Sequence, residues 1–237
     1  MNIGLKSRDD FLKGEVLLID KPLEWTSFDA VNSIKWAIKR RFGLRKIKVG
    51  HAGTLDPLAS GLLVICTGRA TKMISEIQSA PKEYEGTFTL GATTPSFDME
   101  TQVDKHYDTD GIEEGMIRDL AAQFKGKISQ VPPVYSAIKK DGKRLYEYAR
   151  SGESVNIRAR EVEIIQFEIL SVNMPEVGFR IRCSKGTYIR SLAHDFGQKL
   201  GCGAYLSSLR RTRIGDFNVN NAVHPKKFGE KLKTEGE

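Results

Sequence analysis

The stretch VGHAGTLDPLASGLL, residues 49–63, holds a single carboxylate, Asp56, among glycines, small side chains and apolar residues. Pro57 follows it directly, and the stretch contains no second acid. A lone carboxylate in such a setting can be a nucleophile, a general base or a turn former. The residues of the stretch leave all three open.

Upstream of it, residues 34–48 carry seven lysines and arginines and no acid. Before them, TSFDAVNSIKWAIKRRFG predicts a helix. Thr26 and Asp29 have the spacing of a capping box, Phe28, Val31, Ile34 and Ile38 recur on one face, and Gly43 can close the last turn. GEVLLIDKP, further upstream, reads as a buried strand running into a proline turn. Downstream, GLLVICTG reads as a second buried strand. EYEGTFTLG alternates, with Tyr84, Gly86, Phe88 and Leu90 on one side, and predicts a third. Residues 91–110 are polar and read as an exposed loop.

GIEEGMIRDLAAQFKG predicts a helix. VPPVYSAIKKDGKRLYEYARSG interleaves three tyrosines with five lysines and arginines. EVEIIQFEILSV and VGFRIRCSKGTY predict paired strands. IRSLAHDFGQKLG predicts a helix ending at Gly201, and YLSSLRRTRIGDF a final strand. Strands and helices mix without strict alternation. The expected class is therefore α+β, with helices flanking a central mixed, mostly antiparallel sheet.

Apolar residues make up 40% of the 237, a globular proportion, and the longest apolar runs are far too short to span a bilayer. The N-terminal segment has no apolar signal region, and the three cysteines lie far apart with no CxxC. A cytoplasmic, reduced protein without structural zinc and without membrane attachment is expected. The net charge of +7 favours a polyanionic partner. Its distribution adds weight, because residues 180–213 hold eight basic residues against one acid, Asp195. There is no Walker loop, no dinucleotide fingerprint, no HExxH and no GxSxG elbow. No cofactor and no metal are expected. At this level the reading is an α+β nucleic-acid-binding protein with a candidate acidic site.

GHAGTLDPLASGLL strongly resembles the catalytic motif of the TruB family of tRNA pseudouridine synthases. LLIDKPLEWTSFDAV resembles that family's KP motif, with Lys21 and Pro22. KEYEGTFTLG resembles its tyrosine motif, CSKGTYIRSLAHDFG its arginine motif, and LRRTRIGDF its closing motif. The segment VPPVYSAIKKDGKRLYEYARSG resembles its RNA-gripping insertion. The motifs follow the family order and cover about residues 14–217.

The resemblance implies a pseudouridine synthase fold and isomerisation of the T-loop uridine, position 55, of tRNA to pseudouridine. Asp56 is then the nucleophile, Arg190 its cationic partner and Tyr84 the ring that packs against the target base. Leu209 closes the pocket. His51 enters the gap left by the flipped base, and Lys21 and Pro22 support the pocket floor. Gly53, Thr54, Lys185 and Tyr188 join the substrate-binding set. The implied partner is the tRNA T-stem-loop, with no guide RNA and no obligate protein partner. The implied organisation is a catalytic domain over residues 1–222, with an insertion at about 126–160, and a short polar tail over 223–237. Only 20 residues follow Phe217, too few for the PUA domain of many bacterial members. Two alternatives remain at this point: a non-catalytic tRNA-binding or RNA-folding protein on the same fold, and a pseudouridine synthase for another RNA.

Overall fold

The computed structural model describes residues 6–136, 138–153 and 155–234. The chain begins with α1 (Arg8–Lys13), capped by a reciprocal Ser7–Asp10 box, and β1 (Val16–Lys21). In α2 (Ser27–Phe42) the Thr26 hydroxyl accepts from Asp29 N, the Asp29 carboxylate accepts from Thr26 N, and Gly43 ends the helix at φ 61°. A left-handed residue there carries no Cβ penalty only if it is glycine. β2 (Val49–His51), β3 (Ala59–Thr67), α3 (Ile74–Ser79) and β4 (Lys82–Leu90) follow. Two-residue strands β5 (Ala92–Thr93) and β6 (Lys105–His106) precede α4 (Glu114–Gln123) and β7 (Gly126–Gln130). The insertion forms a small hairpin, β8 (Lys139–Lys140) with β9 (Lys143–Arg144), and then α5 (Leu145–Ser151). Long strands β10 (Arg160–Asn173) and β11 (Glu176–Cys183) lead to α6 (Ile189–Leu200) and β12 (Ala204–Ile214). β13 (Phe217–Asn218) and α7 (Pro225–Thr234) close the chain.

The residues divide into two compact units. Unit 1 runs to Tyr84 and resumes at Leu209; unit 2 is Glu85–Ser208. In unit 1, β1 and β2 pair antiparallel with β3, and β12 pairs parallel with it, Leu209 facing Ala59 and Arg211 facing Gly61. β3 is buried on both faces, which explains its unbroken apolar run. One side packs Leu63 and Ile65 with Ile34, Ile38 and Phe228; the other packs Leu62 and Val64 with Ile77 and Ile214. In unit 2, β7, β10 and β11 form an antiparallel set continued by β4. Its core is aromatic. Phe88, Phe167, Phe179 and Phe196 lie ring to ring, with Phe88–Phe179 centroids 4.2 Å apart. The α+β class with mainly antiparallel mixed pairing follows the sequence.

Three expectations differ from the structure. Phe28 is 69% exposed, because the buried stripe of α2 runs through Ser27, Ala30, Val31, Ile34 and Ile38. Residues 91–110 are not simply an exposed loop, since Thr93, Thr94, Ser96 and Asp98 are buried. The segment read as a polar tail contains α7, whose Phe228 and Leu232, four residues apart, enter the unit 1 core.

Candidate active site

In unit 1, Asp56 sits half-buried on the connection between β2 and β3. Ala59 N donates to Asp56 O at 3.1 Å, closing a four-residue turn with Pro57 in its second position. The turn reading of Asp56 is therefore correct as far as the backbone goes. A loop at this depth must find partners for its own polar groups, and this one borrows them. Ser27 Oγ accepts from Leu55 N at 2.8 Å and donates to Leu55 O at 2.9 Å. Glu24 N, from a residue held at φ 67°, donates to Pro57 O at 2.9 Å. Arg211 Nη2 donates to Gly53 O at 3.1 Å and Nη1 to Thr54 O at 3.3 Å. All five carbonyls from residue 53 to 57 thus accept a hydrogen bond.

Lys21 is fully buried at the end of β1, where Nζ donates to Pro22 O at 2.9 Å and Trp25 O at 2.5 Å. Burial lowers its pKa to about 8, Asp56 acts to raise it, and Arg211 to lower it further. Asp56 is therefore within electrostatic reach of Lys21. His51 belongs to β2, opposite Ile65. Burial lowers its pKa, the Gly53 backbone opposes that and Arg211 reinforces it, while Nδ1 has no well-aligned hydrogen-bond partner. The net shift favours the neutral imidazole. Leu209 is half-buried beside Ala59 through the parallel β12–β3 pairing. Tyr84 is buried, Pro22 and Gly53 are half-buried, and Thr54 is exposed.

In unit 2, Arg190 lies in the first turn of α6 and is 5% exposed. Its Nε is 3.5 Å from Asp98 Oδ2, and Nη1 donates to Ser96 O at 3.4 Å. Asp98 is equally buried, on a tight turn. Phe97 within it takes φ 64°, stacks its ring on His194 at 4.0 Å, and accepts from Leu206 N. A bulky residue in the left-handed region costs roughly 1–2 kcal/mol. Here the reversal puts Ser96 O and the Asp98 carboxylate on the same guanidinium. Tyr188, the N-cap of α6, exchanges two backbone bonds with the buried Gln130 amide, at 2.8 and 3.0 Å, and Arg160 covers its ring. Lys185 is exposed.

The structure thus gathers Lys21, Gly53, Thr54, Asp56 and Leu209 around β3 in unit 1, and Tyr188 and Arg190 at the start of α6 in unit 2. Sequence reasoning missed Ser27, Asp98 and Arg211. It also overcounted the surface cations of residues 180–213. Arg180 pairs with Glu85 and Glu168, Arg190 with Asp98, and Arg210 bidentately with Asp20. Arg211 is internal, whereas Arg182, Lys185 and Arg213 are exposed. Between residues 34 and 48 the expectation is met more fully, with Arg40, Arg41, Arg45, Lys46 and Lys48 all exposed. Among the described residues, no helix is long and apolar enough to cross a membrane, and no cluster of three or more His, Cys, Asp or Glu could hold a metal ion.

Residues 39–189 match the TruB family pseudouridylate synthase N-terminal domain, and residues 190–235 the tRNA pseudouridylate synthase B C-terminal domain. A Flavobacterium johnsoniae protein named tRNA pseudouridine synthase B is 56% identical over 225 residues, covering 94% of this chain and 98% of that one. A Chlorobaculum tepidum protein of the same name is 50% identical over 212 residues, covering 89% and 88%. Among solved structures, a Cbf5–Nop10–Gar1 complex matches with a TM-score of 0.68 at 31% identity, over 94% of this chain and 55% of that one. An H/ACA RNP bound to a substrate RNA containing 2′-deoxyuridine matches with a TM-score of 0.63 at 29% identity, over 92% and 53%. The chain spans about half the length of these solved chains.

Proposed function

The chain belongs to the TruB family of pseudouridylate synthases, and on that premise we propose that it isomerises uridine 55 in the T loop of tRNA to pseudouridine. The reaction breaks the C–N glycosidic bond, turns the base and forms a C–C bond to the same sugar. Nothing is oxidised and no group is gained, so the atoms balance without a co-reactant. The observation that carries this reading is the hold on Asp56: a half-buried carboxylate on a loop whose five carbonyls are all hydrogen-bonded. A nucleophile fixed in this way has little reorganisation left to make when substrate arrives.

Asp56 acts as the nucleophile in this scheme, and the Arg190 guanidinium supplies its cationic partner. Tyr84 packs against the target base, and Leu209 closes over it. The base leaves its stack at a cost of a few kcal/mol. A neutral His51 filling the gap returns roughly 1–3 kcal/mol of stacking. Lys21 and Pro22 support the floor, and Gly53, Thr54, Lys185 and Tyr188 line the approach of the RNA. The exposed cations of residues 40–48 and of the insertion take the phosphates of the T-stem. The proposed enzyme works on the T-stem-loop alone, with no guide RNA.

Tritium release from tRNA carrying 5-³H-uridine tests the assignment. Wild type is expected to turn over, and Asp56→Asn to lose about four orders of magnitude in rate while melting as the wild type does. Tight tRNA binding by an inactive wild type would overturn the proposal in favour of an RNA-folding protein. Release only from uridines outside the T loop would overturn the position.

A further inference from the structure

The sequence LRRTR places two arginines side by side on β12, and the structure sends them to opposite faces. Arg210 reaches Asp20 on β1 with both terminal nitrogens, at 3.0 and 2.9 Å. Arg211 turns the other way, is 2% exposed, and is one of the largest fully buried side chains. Among the described residues, no carboxylate lies within ion-pair distance of it. Its guanidinium is spent on backbone carbonyls alone: Leu62 O from Nε at 2.8 Å, Thr54 O from Nη1 and Gly53 O from Nη2. Leu62 belongs to β3, and Gly53 and Thr54 begin the Asp56 loop. One planar group therefore ties the loop to the sheet beneath it.

The strand register is built for this tie. Lys21, Gly61 and Arg211 face one another across β1, β3 and β12. Gly61 stands at φ +103°, and a Cβ there would meet Arg211 O at 2.4 Å and Arg211 N at 2.8 Å. Only glycine lets the β12 backbone come this close, and that approach carries the Arg211 side chain under the loop. A lysine has one compact ammonium and cannot span the same three acceptors in a plane.

We infer that Arg211 is a positioning residue for the reaction: its guanidinium fixes the first half of the Asp56 loop, and so the place of the Asp56 carboxylate, without touching the RNA. This rests on the proposed pseudouridine synthesis. It differs from the reading of LRRTR as a phosphate-binding cluster, which predicts weaker RNA binding instead.

The experiment compares wild type, Arg211→Lys, Arg211→Gln and Arg210→Met for kcat and KM on tRNA, for melting, and for amide hydrogen exchange over residues 53–56. A misplaced reacting group costs on the order of 100-fold in rate. Arg211→Lys and Arg211→Gln are therefore expected to lose about 100-fold in kcat, keep KM within about threefold, and exchange faster at Thr54 and Asp56. Arg210→Met, which breaks the ion pair on the opposite face, is expected to melt lower while keeping kcat. Wild-type kcat in both Arg211 variants overturns the inference. So does a loss seen only in KM, an equal kcat loss in Arg210→Met, or failure of both Arg211 variants to fold. Absence of turnover in wild type counts against the proposed function instead. The exchange rates of residues 53–56 then still decide whether Arg211 holds the loop, and unchanged exchange overturns the inference.

Discussion

Around Asp56 the chain holds its backbone with side chains borrowed from elsewhere. Around Arg190 the backbone is helical, and what is held is the side chain. The Asp56 loop makes one short-range bond of its own, from Ala59 N to Asp56 O, and takes the rest from Glu24, Ser27 and Arg211. Arg190 starts a twelve-residue helix, and within unit 2 Asp98 and Ser96 hold its guanidinium. The difference follows from where backbone polar groups go. A helix satisfies its own from within, whereas a half-buried loop must import donors and acceptors. A functional group on a loop is therefore distributed through the sequence, and one on a helix is local except for its counter-ion.

Removing the counter-ion is the strongest way to test this contrast. Asp98→Ala leaves the buried Arg190 charge without its carboxylate in unit 2, and breaking such a pair costs about 3 kcal/mol. Urea denaturation should show that loss. A change below about 1 kcal/mol would mean that Arg190 is held by other means, and the contrast would fail.

A smaller effect is expected from Ser27→Ala. It strips a donor and an acceptor from Leu55, both buried, at roughly 2 kcal/mol. The predicted signature is a lowered midpoint together with a kcat loss at unchanged tRNA affinity, because the loop is loosened and the RNA surface is not. Equal loss of affinity would place Ser27 in RNA contact and blur the distinction.

A further effect is a pH dependence. The folded pKa of Lys21, about 8, lies below its ordinary 10.5, with burial as the main cause. Between those values the unfolded chain binds more protons than the folded one, so this group makes stability rise with pH across that window. Below pH 8 the cost of burying the charged ammonium is present in full. The gain accrues on going from pH 8 to 10.5, and Lys21→Met should abolish it in melting curves taken across the range. A slope that survives in the variant would assign the effect to another group.

Much of the fold can be read locally. The Thr26–Asp29 box, Gly43 and Gly201 mark helix ends because capping bonds lie within a few residues of one another. The apolar run of β3 and the alternation of β4 mark strands for the same reason. The misreadings have a common origin. Phe28 fits a helical apolar stripe by spacing, yet Ser27 takes the buried position because its hydroxyl holds Leu55, 28 residues away. Residues 91–110 look like surface loop by composition, yet their polar groups are buried around Asp98, which Thr94 and Ser96 support through hydrogen bonds to its carbonyl. The arginines of residues 180–213 look like a phosphate-binding face, and four of the six turn out to be structural.

The sequence by itself determined the kinds and order of the main helices and strands, the single carboxylate of residues 49–63 and the family motifs around it. All of these depend on spacing over a few residues. Only the tertiary structure decided where the charges go. Arg210 and Arg211 are adjacent in the chain and chemically identical, but one meets a carboxylate on β1 and the other three carbonyls on and beside β3. Alternate residues of a strand point to opposite faces, and what waits on each face is set by the register of strands distant in sequence.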